Sequence, residues 1–482
     1  MANILLISPY SGDGHLDPEA RMKRKRMFLT PHLGLHRIAS FLRPQHNVIV
    51  YDPSVDGDPI GFLKSAASGF DVIGFSLTHT TLEHDLSLIH MARKANSKAV
   101  LVAGGEEATF NWELVRKYSP VNVIVFGEGE KAMKRIAELV AGGGLLSGNY
   151  VNLLDALSCG EFRDATVGID QSAIPYEVYW DKMEKTNKNF EETRTVRIFT
   201  SNYCPWGCTF CSSTNYLKTA YSGRPKFSFL DADDLLHVIH KAVKAHPEAR
   251  TIFFQDDNFL RPPARDRIYR LCDGIMRGVS ERKIPEKLTF MCQSRVSDVS
   301  ADVLKLMAAA GFRLFSYGVE SFSSQMLNEF KKHITVEQIH DALAWTFEAG
   351  IVPFANMILT SPECEISDIK ITVEECKKHM EKGGKLGINL YTSPLPGSKL
   401  AEEAKELIEH RRVNISGTSL FFDKSERIVP RNRDVRKLLE RTSWHLNNIN
   451  LEAIGDFDSD SKSKLNLLAV EAALKEERNS VY

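Results

Sequence analysis

Three cysteines stand at C-x3-C-x2-C in Cys204-Pro-Trp-Gly-Cys208-Thr-Phe-Cys211, just after the short apolar run Val196-Arg-Ile-Phe-Thr200. Thiolates are soft ligands, and three on one tight loop can face one metal cluster. A [4Fe–4S] cluster normally takes four cysteines, so three leave one iron open. An open coordination position reads as catalytic rather than structural. The competing assignment is a zinc knuckle without its fourth ligand, but no close C-x2-C or H-x3-H partner follows. The other cysteines, Cys159, Cys272, Cys292, Cys364 and Cys376, are scattered singly. That is not a disulfide framework; it fits a reducing cytoplasm, where an iron–sulfur cluster also survives best.

The motif resembles the cluster signature of the radical SAM enzymes, C-x3-C-x-aromatic-C, with Phe210 in the aromatic place. The resemblance implies that Cys204, Cys208 and Cys211 ligate a [4Fe–4S] cluster. S-adenosylmethionine would chelate the fourth iron through its amino and carboxylate groups. Reductive cleavage would give methionine and a 5′-deoxyadenosyl radical, with a reductant such as flavodoxin or ferredoxin as partner.

Such a loop needs a frame. From Val196 onward, strand-like runs alternate with helical ones: 251–257, 287–295, 312–320, 351–359 and 386–391 follow the first. Six β/α units with right-handed crossovers make a partial barrel over 196–410, with its chemistry where strands end. Asp256 and Asp257 end the second strand, and Gln293 and Arg295 the third. Gly318-Val-Glu320-Ser321 ends the fourth and is similar to the GVES turn of the class B and methylthiolase groups. Tyr391-Thr-Ser-Pro394-Leu-Pro396-Gly397 resembles their Pro-x-Pro-Gly turn. The resemblance suggests Arg295 as the cation for the methionine carboxylate. Its amino group and the ribose hydroxyls need acceptors, for which Asp257, Gln293 and Glu320 are candidates. The usual glycine-rich turn after strand five is replaced by Met357-Ile-Leu-Thr-Ser-Pro-Glu363.

Before the cluster motif, residues 3–8, 47–52, 71–76, 99–105 and 122–127 read as strands. Helical stretches separate them, among them 31–42 with Leu35, Ile38, Ala39 and Leu42 on one face. About five strands alternating with helices make a doubly wound, Rossmann-like α/β domain over 1–145, with ligands at the strand carboxyl ends. Those ends carry Ser76, Thr78, Gly104, Gly105, Gly127 and Glu128. With Pro31-His-Leu-Gly-Leu35 before them, the order Pro-x-Leu-Gly-Leu, Ser-x-Thr, Gly-Gly, Gly-Glu-Gly-Glu resembles the cobalamin-binding domain fused to class B radical SAM methylases. The resemblance implies cobalamin here, with the small residues forming the slot for its nucleotide tail. The family's Asp-x-His-x-x-Gly motif is only begun by Asp13-Gly-His15: position 18 is Pro, and Ser76 lies too far on. His15 therefore reads as a loop histidine, and the basic run Arg21–Arg26 as a solvated face.

Residues 146–195 read as a connector with little regular structure, and 411–482 as a mainly helical tail with helical spacing over 435–451 and 462–477. In the resembling family this tail often covers the barrel mouth. Trp444 reads as core. The formal net charge of −1 gives no support to a nucleic-acid or membrane surface, and no run approaches the ~18 apolar residues of a membrane span.

The leading expectation is a cobalamin-dependent radical SAM C-methyltransferase acting on a small metabolite or peptide. A radical oxidoreductase or cyclase with the same cofactors is the second reading, and an iron–sulfur or cobalamin sensor the third.

Overall fold

The computed structural model describes residues 1–10, 30–144, 150–152, 159–186, 194–221, 225–448 and 459–479. Asp13, His15 and Arg21–Arg26 lie outside these residues.

The first sheet has six parallel strands: β1 (Asn3–Ile7), β2 (Asn47–Tyr51), β3 (Val72–Ser76), β4 (Val100–Gly104), β5 (Val123–Val125) and β6 (Tyr150–Asn152). Their spatial order is β2-β1-β3-β4-β5-β6. β1 and β3 are apolar almost throughout, as strands covered by helices on both faces must be. The chain leaves β1 for β2 on one side and returns to β3 on the other. That reversal opens a crevice at the carboxyl ends of β1 and β3. The helix Leu33–Leu42 begins beside it, capped by His32, whose Nδ1 accepts the Leu35 N–H at 3.3 Å.

The second sheet also has six parallel strands, here in sequence order: β7 (Thr195–Ile198), β8 (Thr251–Phe254), β9 (Thr289–Ser294), β10 (Phe312–Glu320), β11 (Val352–Ile358) and β12 (Lys385–Asn389). β7 and β12 do not pair, so the barrel is partial, with helices outside. β10 shifts register between Gly318 and Glu320, and Glu320 takes φ +67°. A non-glycine residue rarely adopts that left-handed backbone, and its partners must hold it there.

Three expectations are corrected. The described part of 146–195 is not irregular: β6 extends the first sheet, and the helices Cys159–Val167 and Tyr176–Thr186 follow. The tail is not simply helical: β13 (Ile408–Asn414) and β14 (Phe421–Ile428) form an antiparallel hairpin before the helices Arg433–Asn448 and Ser459–Asn479. Trp444 is not core, being 60% exposed.

The hairpin crosses between the two halves. At its base, Ile428 bridges to Thr392 just beyond β12. Further out, Val413, Ile415 and Phe422 join the apolar core of the first sheet with Leu86 and Ile89. Lys424 and Arg411 pair with Glu83 on the helix Leu82–Ala95, and His79 Nε2 meets the Ser425 carbonyl at 3.0 Å. Among the described residues no helix is long and apolar enough to cross a membrane.

Candidate active site

The cysteine loop leaves β7 and is pinned at several points. Thr209 donates its N–H to the Phe330 carbonyl at 2.9 Å and its hydroxyl to the Glu329 carbonyl at 3.0 Å. Gly207, at φ +75°, donates its N–H to Thr214 Oγ1, which in turn donates to the Cys204 carbonyl at 2.8 Å. Arg295 Nη1 donates to Cys208 Sγ at 3.3 Å. Burial pushes the Cys204 thiol up to about 11 and Cys211 up to about 12, and Asp257 and the neighbouring cysteines push the same way. Thiols this reluctant to ionise give up their protons to a cation, as metal ligation provides. No three His, Cys, Asp or Glu side chains among the described residues converge tightly enough for a single ion. A cluster asks less convergence, because each cysteine takes a different iron. The donor set fits it.

Arg295 is buried, and its guanidinium is already engaged. Besides Cys208 it donates to the Lys332 carbonyl, and it lies 4.6 Å from the Trp206 ring. Its Nε is buried without a hydrogen-bond partner, so the guanidinium is engaged only in part. Glu320 is also buried, paired with Lys332 Nζ at 2.8 Å. Lys332 faces the Phe210 ring, which packs edge-on against Phe330. Phe210 thus serves as an apolar shelf under the loop. Lys331 and His333, on either side of Lys332, both have left-handed backbones. The segment is bent so that one lysine reaches both Arg295, through its carbonyl, and Glu320, through its ammonium.

Asp256 and Asp257 divide their labour. Asp256 is buried and accepts from Thr200 N at 2.9 Å, from both Thr200 and Ser201 hydroxyls, and from Ser201 N. It holds the start of the loop. Asp257 opens into the cleft, where it accepts from Ser213 Oγ. Loss of hydration there raises its carboxyl, and Asp256 adds to the effect. The Gln293 carbonyl accepts from Phe259 N at 2.9 Å, and its side chain is half-buried.

A cavity of about 340 Å³ lies between the two sheets. Ser76, Gly104, Gly105, Gly127 and Glu128 line it from the first, and Ser201, Asn202, Tyr216 and Asp257 from the second. Thr78 does not: its hydroxyl meets Thr81 at 2.7 Å, away from the crevice. A Cβ on Gly104 would meet nothing closer than Val125 at 4.0 Å, so this glycine leaves real space. Gly105 is different, at φ +96° with the Leu77 carbonyl 2.8 Å from any added Cβ. Gly127 abuts Ala220 across the domain boundary. Glu128 lies 3.5 Å from Arg37 and accepts from Tyr221 at 2.9 Å. Burial nevertheless lifts its carboxyl to about 7. His32 reaches Ser76 Oγ with Nε2 at 3.1 Å while Nδ1 caps its helix. Both ring nitrogens are engaged, and burial keeps the ring neutral. A broad crevice floored by small residues fits a large flat ligand such as a corrin.

The helix Ser213–Ala220 joins the two sites. It starts just past Cys211; Ser212 donates to Glu106, the first residue of the helix Glu106–Phe110 that follows β4, and Tyr216 donates to the Gly127 carbonyl at 2.7 Å. Residues 23–137 match the model of the B12 binding domain, and residues 198–376 match that of the radical SAM superfamily. The chain joins a B12-binding domain to a radical SAM domain. An uncharacterised methyltransferase of Pyrococcus horikoshii is 24% identical over 394 residues, covering 80% of this chain and 81% of the relative. The anaerobic magnesium-protoporphyrin IX monomethyl ester cyclase of Rubrivivax gelatinosus is 24% identical over 353 residues, 70% of this chain and 59% of the cyclase. The radical S-adenosylmethionine methyltransferase TsrM of Kitasatospora setae, solved with tryptophan and a SAM analogue, shares the fold at TM-score 0.62. It is 16% identical, with 86% of this chain and 79% of that one covered.

Several residues of the radical SAM site and the B12-binding crevice escaped the sequence reading. Glu106 directly follows Gly104-Gly105, a signal that was available. Tyr216 sits one turn beyond the cysteine motif. Arg37, His32 and Lys332 carried no local signal, because their roles depend on chain segments far away in sequence.

Proposed function

We propose that this radical SAM enzyme is a cobalamin-dependent C-methyltransferase acting on an unactivated carbon of a small metabolite or peptide. One observation carries the reading: the B12-binding crevice reaches Asp257, whose charge acts on Cys204 and Cys211 of the cysteine loop, with Tyr216 and Leu217 of the helix Ser213–Ala220 on its wall. A methyl donor and a radical source need such a shared space. The chemistry supplied by the bound groups is hydrogen-atom abstraction by an adenosyl radical on one side and methyl delivery from cobalamin on the other. The protein's part is position and exclusion of water. Phe210, Arg295, Lys332 and Glu320 frame the S-adenosylmethionine side. Ser76, Gly104, Gly105 and Gly127 make room for the corrin, and Asp257 holds a hydrogen-bonding group at the meeting point. A small reductant such as flavodoxin or ferredoxin would supply the electron. Cysteines free of disulfides among the described residues favour a reducing, cytoplasmic setting.

The match to the cyclase supports a second reading, radical oxidation without methyl transfer. Anaerobic reconstitution with both cofactors, followed by assay with S-adenosylmethionine carrying a labelled methyl group, separates the two. Label in a product heavier by one methylene supports methyl transfer. Substrate-dependent deoxyadenosine formation with no labelled product would overturn it.

A further inference from the structure

Of the guanidinium groups gathered around the strand ends, most are spoken for. Arg37 pairs with Glu128 and Glu130, and Arg197 donates to Gln255. Arg267 donates to Thr200 and Leu230, and Arg295 to Cys208 and Lys332. Arg261 differs. It lies in the loop beyond β8, four residues after Asp257, and is half-buried. Its Nη1 is buried with no hydrogen-bond partner, and among the described residues its side chain forms no ion pair.

Its place is nevertheless well defined. The guanidinium carbon stands 3.6 Å from the Phe227 ring centroid and 5.7 Å from that of Tyr203. That aromatic shelf is fixed: Tyr203 donates to the Pro225 carbonyl at 3.2 Å, Asn202 donates to the Lys226 carbonyl at 2.9 Å and accepts from Ser228 N, and Ser201 bridges to Phe229. Tyr203 immediately precedes Cys204, so the shelf is the flank of the cysteine loop. Arg261 is within electrostatic reach of Cys204 and of Asp298. Stacking uses the face of a guanidinium and leaves the N–H groups along its edge free, in the planar fork that matches a carboxylate. A partly desolvated cation without an anion is costly, and a ligand's anion would offset that cost.

We infer that Arg261 binds the carboxylate of a ligand seated at the mouth of the cysteine loop. Resting as it does on the reading of that loop as the cluster and S-adenosylmethionine site, the inference admits two sources. One is the methionine carboxylate of S-adenosylmethionine, and the other a carboxylate on the substrate.

The experiment uses the full chain with its cluster reconstituted, the parent against Arg261→Gln and Arg261→Lys. Iron content comes first and should match the parent. Affinities for S-adenosylmethionine and for its decarboxylated analogue are then measured by equilibrium dialysis. A loss of about tenfold or more for S-adenosylmethionine in Arg261→Gln, with the analogue unaffected, assigns the contact to the methionine carboxylate. If S-adenosylmethionine binding is unchanged, acetate is titrated into the S-adenosylmethionine-saturated protein while the EPR spectrum of the reduced cluster is followed. A saturable change in the parent that Arg261→Gln lacks assigns the contact to a second carboxylate. Equal weakening for both nucleosides, loss of iron, or no difference with any probe would overturn the inference. A parent that loads its cluster yet binds no S-adenosylmethionine defeats the underlying functional reading instead, and this inference with it.

Discussion

Replacing Glu128 with glutamine removes a carboxyl that the B12-binding crevice holds at about 7, against an ordinary value of 4.5. Burial is the main cause. Arg37 and the Tyr221 hydroxyl pull the other way, while Glu130 and Glu161 add to the rise. The Glu128 side chain is only 8% exposed, so solvent screening discounts little of this. Because the folded state holds the proton more tightly than the unfolded chain, the stability it carries is fully present below about pH 4.5. It is lost as pH climbs through about 7. A shift of this size amounts to roughly 3 kcal/mol between those limits. Glu128→Gln has no proton to lose, so its stability lacks this slope. Thermal unfolding of parent and variant, at matched ionic strength across this pH range, should show the variant gaining on the parent by several degrees toward alkaline pH. Cobalamin titrations on the same samples should show a pH dependence in the parent that the variant lacks. A melting difference that stays constant with pH would refute the reasoning.

Three further outcomes are expected. Gly104→Val has backbone room but fills the crevice, so cobalamin affinity should fall at least about fivefold, the low end of overpacking costs of ~1–3 kcal/mol, with iron content unchanged; intact corrin binding would count against the crevice. Gly105→Leu is a poor substitute for it, since strain at φ +96° would disturb the fold itself. Lys332→Met leaves Glu320 buried without a counter-charge and should destabilise the protein by about 3–5 kcal/mol in melting experiments. The double variant with Glu320→Gln should recover most of that loss, and no recovery would refute the pairing. Cys208→Ala should lose most of its iron on reconstitution, whereas Cys376→Ala, buried in a helix away from the loop, should keep it.

The sheets were largely legible because their strands are short, apolar and bounded by polar turns, and periodicity survives whatever packs around it. The cysteine motif was legible because ligand spacing is local. What failed was non-local. The contacts of Arg295 with Lys332 and Cys208 come from segments far along the chain and left no mark in the sequence around it. Thr78 reads as a crevice residue until Thr81 turns its hydroxyl away. β6 has three residues, too few for a pattern, and it is a strand because β5 offers an open edge. The hairpin 408–428 is charged on its outer face, and its few buried residues make sense only against the helix Leu82–Ala95.

That hairpin also bears on how the protein is made. Val413, Ile415 and Phe422 complete an apolar core whose other members nearly all precede residue 130. At ~5–20 residues per second, the ribosome delivers them on the order of tens of seconds after the first sheet has emerged. Through that interval the helix Leu82–Ala95 carries an uncovered apolar stripe, with Glu83 still waiting for Lys424. The nascent B12-binding half thus keeps part of its apolar surface open until the chain that follows the radical SAM domain returns to close it.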